Sequence, residues 1–366
     1  MEVIAEHINQ RIRVRPKFER PSPATVTVVI SCYNYAHFLP QAVQSCIGQE
    51  DVLVDVIIVD DASTDTSLAV ATALAETHAN ISVLAHSQNK GMVETFNDGA
   101  RAATGEFLVR LDADDLLTPG SLARATLVAQ TYPSVGLVYG HPIHFSTEVP
   151  PEPQRRPTAW TIWPGLTWLR DRCRSAQNVI TSPEALMRRS VVEKIGYQAA
   201  LRHTPDMEFW FRLSAFSDVA YIHGADQAWH RDHPDSMSAK EVDGVIDLVE
   251  RLEAFEALFH GAAASVPGTA GFLPAAKRAL VGEALYTAAL EVDRGLPHPE
   301  LVHAYREFAK SVQPGIEGSS EWTRLNVRLA DSRAAIPRRL ASVARRLHGR
   351  LRSELNWYRW RRNGVF

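Results

Sequence analysis

Residues 26–60 read VTVVISCYNYAHFLPQAVQSCIGQEDVLVDVIIVD. The two ends of this stretch, Val26-Thr-Val-Val-Ile-Ser31 and Val54-Asp-Val-Ile-Ile-Val-Asp60, are short β-branched runs bounded by turn-forming residues, the pattern of buried strands. A helix from Leu39 to Gly48 fits between them. Ser63-Thr-Asp65 then supplies N-cap residues for an alanine-rich helix ending near His78, and Ile81-Ser-Val-Leu84 makes a third strand. After the turn Asn89-Lys-Gly91 come a helix over 93–103 and a fourth strand, Phe107-Leu-Val-Arg-Leu111, running straight into Asp112-Ala-Asp-Asp115. Strand and helix in regular alternation predict an α/β fold with a mostly parallel, Rossmann-like sheet and right-handed crossovers.

Working outward, Pro119 opens a helix to Thr131 and Val135-Gly-Leu-Val-Tyr139 is a fifth strand. The proline-rich stretch Phe145 to Pro164 has no periodicity and reads as a long loop of the kind used for lids or binding. Helical and strand-like pieces return between Leu166 and Ile222. From Val242 the pattern is helical, with Val245, Leu248, Val249, Leu252, Phe255, Leu258 and Phe259 forming one apolar stripe. The expected organisation is a leader over 1–24, a catalytic α/β domain over 25–238, a helical domain over 239–332 and a tail over 333–366.

The chain has 366 residues, enough for two domains, and its 45% hydrophobic and 22% charged content is ordinary for a globular protein. A formal net charge of -3 argues against a dedicated nucleic-acid binder, which needs a basic excess to displace counterions from phosphates. Three cysteines, Cys32, Cys46 and Cys173, in no paired spacing point to neither a disulfide framework nor a structural zinc site, so a reducing cytoplasm is expected. The first twenty-five residues lack a secretory signal, and no window holds the roughly 18 apolar residues of a spanning helix. Abundant alanine, with arginine well ahead of lysine, hints at a GC-rich bacterial genome.

Acidic and polar residues gather at the ends of successive strands: Ser31, Cys32 and Tyr33, then Asp60 and Asp61, then Asp112, Asp114 and Asp115. In an open parallel sheet the carboxyl edge is where ligands bind, so these side chains converge. Capping of the following helices is the plainer role for Asp61 or Asp65 alone; three clusters at three strand ends are harder to explain that way. Asp112 and Asp114 project from one side of an extended backbone, and hard oxygen ligands of this kind suit Mg²⁺ or Mn²⁺ bridging carboxylates and a diphosphate. No GxGxxG follows the first strand, which excludes a dinucleotide-binding dehydrogenase, and no glycine- and arginine-rich phosphate loop of a sugar-1-phosphate nucleotidyltransferase is present.

The strings VTVVISCYNYAHFLPQAVQSCIGQ, VDVIIVDDASTD and NKGMVETFNDGARAATGEFLVRLDADDLLTPGSL together resemble a family 2 glycosyltransferase of the GT-A fold, over roughly residues 25–235. The resemblance implies that Ser31, Tyr33 and Asp60 hold the nucleotide base, that Lys90 and Gly91 lie near the nucleotide, that Asp112 holds ribose and that Asp114 holds the metal on the diphosphate. HTPDMEFWFRL is similar to the family segment EDxxLWxRL, which makes Asp206 the general base. Pro205 stands at a usually acidic position, and Glu208 is the competing carboxylate. AWHRDHPDSMS resembles YRxHxxSxS and puts Arg231 and His233 at the diphosphate or metal, with His230 a further candidate. The implied activity is inverting transfer of one sugar from a UDP, dTDP or GDP donor to an acceptor hydroxyl of an envelope glycan or secondary metabolite. The QxxRW motif and membrane helices of processive synthases are missing, so single addition is expected. The competing reading is a nucleotide-sugar-binding or assembly protein without catalysis.

Trp160, Trp163 and Trp168 lie in or beside the proline-rich stretch, where aromatic faces suit stacking on an acceptor; core packing is the alternative, favoured for Trp168. Residues 333–366 hold ten arginines and one acid, Glu354, so the near-neutral total is an acidic body joined to a strongly basic tail. Ile336, Leu340, Val343, Leu347, Leu351 and Leu355 recur there at 3- and 4-residue steps. A basic amphipathic helix of this sort fits peripheral contact with an anionic membrane at the inner face, or docking on the body or on a second subunit of a homo-oligomer.

Overall fold

The computed structural model describes residues 7–17, 22–202, 204–233, 244–294, 298–331 and 337–365. Two compact units emerge: one comprises Met1–Leu169, Asn178–Ala239 and Arg362–Gly364, the other Arg170–Gln177, Lys240–Arg361 and Val365–Phe366.

The first unit is a single mixed sheet with helices. Its strands are β1 (Ile12–Val14), β2 (Ala24–Cys32), β3 (Val52–Asp60), β4 (Ile81–Ala85), β5 (Phe107–Asp112), β6 (Leu116–Leu117), β7 (Val135–Phe145), β8 (Ala159–Trp163), β9 (Leu186–Arg188) and β10 (Asp218–Arg231). They run in the order β1-β8-β10-β7-β9-β5-β2-β3-β4, with β6 on β10. β2 sits centrally among its parallel partners, with Ser31 opposite Asp112 of β5 and Cys32 opposite Asp60 of β3. That register, set by the apolar runs, brings the three polar strand ends side by side. Val26, Val28, Val29 and Ile30 are wholly buried, as sequence reading expects for a strand covered on both faces. Each such side chain contributes about 1.5–3 kcal/mol by leaving water.

Helices α1 (Leu39–Ile47), α2 (Ser67–Thr77), α3 (Met92–Ala102) and α4 (Ser121–Thr131) fill the expected crossovers. α3 approaches the sheet through Gly99, where an added Cβ would lie 2.4 Å from a Val29 methyl and 2.9 Å from one of Val59. α5 (Gly165–Ser175), α6 (Arg189–Ile195) and α7 (Pro205–Phe216) follow, and α7 starts on proline, whose missing N–H costs nothing at a helix N-terminus.

Two expectations are corrected. The stretch 145–164 is not all loop: its last residues form β8, which pairs antiparallel with β10 and with β1. Within the expected leader, Ile12–Val14 pairs with Trp160–Ile162. Trp160 and Trp163 are each 2% exposed and lie in the core, so neither offers a face to an acceptor; Trp168, donating from Nε1 to the Tyr139 hydroxyl at 3.2 Å, is core as favoured.

The second unit is helical: α8 (Gly244–His260), α9 (Phe272–Asp293), α10 (Pro299–Val312), α11 (Ser320–Asp331) and α12 (Pro337–Asn363). The stripe on α8 buries Leu248, Phe255, Leu258 and Phe259, while Val249 stays 39% exposed. Ile336 lies outside the described residues. No helix among the described residues is long and apolar enough to cross a membrane.

Candidate active site

Where β2 ends, Ala113 donates its amide to the Ser31 carbonyl at 3.2 Å, and Asp61 donates its amide to the Cys32 carbonyl at 2.9 Å, tying three strand ends together. The loop beyond β2 is held by Asn34, whose φ of 60° is tolerated by asparagine and whose side-chain oxygen accepts from the Thr64 amide at 2.8 Å. Asp60 is 2% exposed; Oδ2 accepts from the Ser63 amide at 3.1 Å, whereas Oδ1 is buried without a partner, as is Ser31 Oγ. Orphaned buried oxygens are uncommon in folded proteins and here sit at adjacent strand ends, suited to donors from a ligand. Tyr33 beside them is 45% exposed.

Asp61 does local work. Its carboxylate accepts from the Lys90 and Gly91 amides, both at 2.8 Å, and contacts His86 Nδ1 at 2.7 Å. Burial opposes its charge, but His86 and the two amides outweigh burial and hold the carboxyl below its ordinary value. Gly91, at φ 86°, completes that turn. The Lys90 ammonium reaches Asp98 at 2.7 Å and is partly exposed.

The turn 112–115 is closed by the Asp115 amide donating to the Asp112 carbonyl at 3.0 Å. Arg110, buried in β5, donates through Nη2 to Asp112 at 3.1 Å. Burial disfavours its charge, yet Asp112 and then Asp206 more than offset this and strengthen it. Asp114 Oδ2 lies 2.9 Å from His233 Nε2. Burial, with the Asp115 and Asp112 charges adding, pushes the Asp114 carboxyl up to about 6. An excess of buried negative charge facing one imidazole is the donor set a hard divalent cation fits.

Asp115, 1% exposed, accepts from the Arg231 amide at 2.9 Å and lies 3.1 Å from His230 Nδ1. Burial works against the charged imidazole, but Asp115 prevails and pushes His230 up to about 9. The Arg231 guanidinium donates to the Asp114 carbonyl at 2.9 Å and to Gln41 Oε1 at 2.7 Å, sandwiched 4.5 Å from the rings of both Phe38 and Phe145.

Asp206 is in the first turn of α7 and accepts from Asn178 at 3.3 Å. Burial raises its pKa, and the nearby Arg110 charge only partly compensates. Glu208 is differently placed. It is 3% exposed and accepts from Arg212 at 2.9 Å, while Arg212 also donates to the carbonyls of Ile195, Gly196 and Tyr197. That carboxylate is committed to a buried ion pair bracing α7.

The structure therefore brings Ser31, Asp60, Asp112, Asp114, Arg231 and His233 to one sheet edge, and the Arg110 charge acts on both Asp112 and Asp206. Sequence reading missed Arg110, Gln41 and Asn178. Arg110 carried a signal, a lone charge inside an apolar strand, which must find a partner. Gln41 and Asn178 carried none.

Residues 27–196 match the model of glycosyl transferase family 2. Among curated relatives, an uncharacterized glycosyltransferase of a Nostoc species is 40% identical over 114 residues, 31% of this chain and 35% of that protein. The succinoglycan biosynthesis protein ExoO of Rhizobium meliloti is 35% identical over 99 residues, 27% of this chain and 28% of that protein. The chain thus spans about a third of the curated relatives it matches. Among solved structures, Staphylococcus aureus TarS shares the fold with a TM-score of 0.53 at 14% identity, over 84% of this chain and 54% of that one. The mixed sheet flanked by helices is of the GT-A type.

Proposed function

We propose that the protein is a metal-dependent inverting glycosyltransferase that moves one sugar from a nucleoside-diphosphate sugar of the UDP, dTDP or GDP type to an acceptor hydroxyl. The observation that carries this reading is the Asp112–Asp115 turn, flanked by the unpartnered oxygens of Ser31 and Asp60, faced by His233 and backed by Arg110, whose charge also acts on Asp206. Ser31, Tyr33 and Asp60 take the base, Lys90 lies beside the nucleotide, and Asp112 takes the ribose. Asp114 and His233 would hold Mg²⁺ or Mn²⁺, with Arg231 adding positive charge beside Asp114. A cation held there would supply Lewis acidity to stabilise a departing diphosphate. Asp206 accepts the proton of the acceptor hydroxyl as it attacks the anomeric carbon from the face opposite the leaving group, in one in-line step. Its raised pKa suits that duty, because a stronger base receives the proton more readily. No covalent intermediate is involved.

The proposed organisation is an N-terminal leader, a catalytic region over 25–238, a helical region and the basic tail, at work on the cytoplasmic side. Leu347, Leu351, Leu355 and Tyr358 are each more than half exposed along α12, beside its arginines, which supports peripheral contact with an anionic membrane. Proton NMR of the sugar product formed from an α-linked donor tests the mechanism. The first product to accumulate is the β anomer; an α product refutes inversion.

A further inference from the structure

A second set of ligand atoms converges beside the site and shares no side chain with Asp114 and His233. His144 of β7 and His230 of β10 pair directly across the two parallel strands, their ring centroids 4.9 Å apart. The Asp232 amide donates to the Phe145 carbonyl at 2.8 Å, so the extended register carries past the end of β10. Two residues beyond His230, Asp232 returns to the same face. His144 Nδ1 lies 3.2 Å and His230 Nε2 3.9 Å from Asp232 Oδ1, and one ligand atom from each of the three lies within 4.8 Å of the others. Ligands about 2.0–2.1 Å from a tetrahedral ion are themselves about 3.3 Å apart, so small rotamer changes close the set.

An independent feature comes from behind. His230 Nδ1 faces Asp115 at 3.1 Å, and Asp115 is buried and fixed by the Arg231 amide. A buried carboxylate behind an imidazole fixes the tautomer and aims the other nitrogen outward, the arrangement that supports metal-bound histidines. The same contact favours a proton on metal-free His230, and metal uptake releases it. The three side chains are 30%, 28% and 56% exposed, which leaves an approach for the ion and a position for water.

The geometry points to a metal site of two imidazoles and one carboxylate, suited to Zn²⁺ rather than Mg²⁺ because nitrogen donors favour the softer ion. Asp232 lies between Arg231 and His233, so occupancy pins the segment that carries both. The inference stands apart from the transferase reading, since zinc binding is read with no donor present. Calorimetric titration of the metal-free full-length protein with zinc chloride tests it, alongside visible spectra of the Co²⁺ form. The wild type takes up one Zn²⁺ and gives the intense Co²⁺ bands of a tetrahedral site. His144→Ala and Asp232→Asn each weaken zinc binding at least tenfold, while Asp114→Asn leaves it unchanged. Asp232 is surface-exposed, so its variant keeps the test valid if His144→Ala folds poorly. Equal affinity in Asp232→Asn and wild type overturns the site, as does loss of the ion in Asp114→Asn alone.

Discussion

Two carboxylates two residues apart on α7 have different tasks, and exchanging each for its amide separates them. Glu208→Gln removes the negative half of a buried pair whose side chains are 4% and 7% exposed, leaving the Arg212 charge to three carbonyls. Breaking a buried ion pair costs about 3–5 kcal/mol, and because glutamine retains one acceptor the low end applies. At roughly 2–4 °C per kcal/mol for a unit of this size, melting falls by about 6–12 °C, within reach of a protein that still folds. Asp206→Asn keeps an acceptor for Asn178 and relieves a carboxylate that burial already disfavours, so its melting temperature holds or rises. Turnover, followed as nucleoside diphosphate released in the presence of acceptor, drops about 100- to 10,000-fold in Asp206→Asn, the usual worth of a general base. Glu208→Gln, assayed below its melting point, stays within about tenfold of wild type. A Glu208→Gln protein that melts like wild type yet is inactive, beside an active Asp206→Asn protein, would refute the assignment.

Further outcomes follow from the same geometry. The Asp114 carboxyl, near 6 in the folded protein against an ordinary 3.8, binds its proton more tightly when folded. The metal-free protein therefore gains stability as pH falls from above 6 toward 4; Asp114→Asn removes that gain in melting scans across this range, and an unaltered pH dependence contradicts it. Trp163→Ala empties a core position and costs about 3–5 kcal/mol without changing acceptor KM; a raised KM with unchanged melting would restore the stacking role. Replacing Leu347, Leu351 and Leu355 together by glutamate abolishes co-sedimentation with phosphatidylglycerol vesicles, and equal sedimentation of variant and wild type ends the membrane proposal.

The strand–helix alternation over residues 24–145 was legible because parallel strands buried on both faces are written as continuous β-branched runs. β8 and β1 were not. Each is short, and their partners are remote in sequence: Ile12 meets Ile162, and Trp163 meets Val219. Pairing energy, not local pattern, makes them strands. The polar strand ends were visible as residue types at a topologically special edge, whereas the separation of Asp206 from Glu208 needed the Arg212 ion pair, which no spacing rule distinguishes from an ordinary helical pair. Trp160 and Trp163 show the opposite failing: their aromatic character was read as suited to binding, but their cross-strand neighbours enclose them.

The proposed activity stands on a nucleotide-diphosphate site completed by a cation at Asp114. Calorimetric titration of the full-length protein with UDP, dTDP and GDP, in Mn²⁺ and in EDTA, measures it directly. One of the three binds at least tenfold more tightly with Mn²⁺, and that gain is lost in Asp114→Asn. Metal-independent binding, or a gain that survives Asp114→Asn, would contradict it.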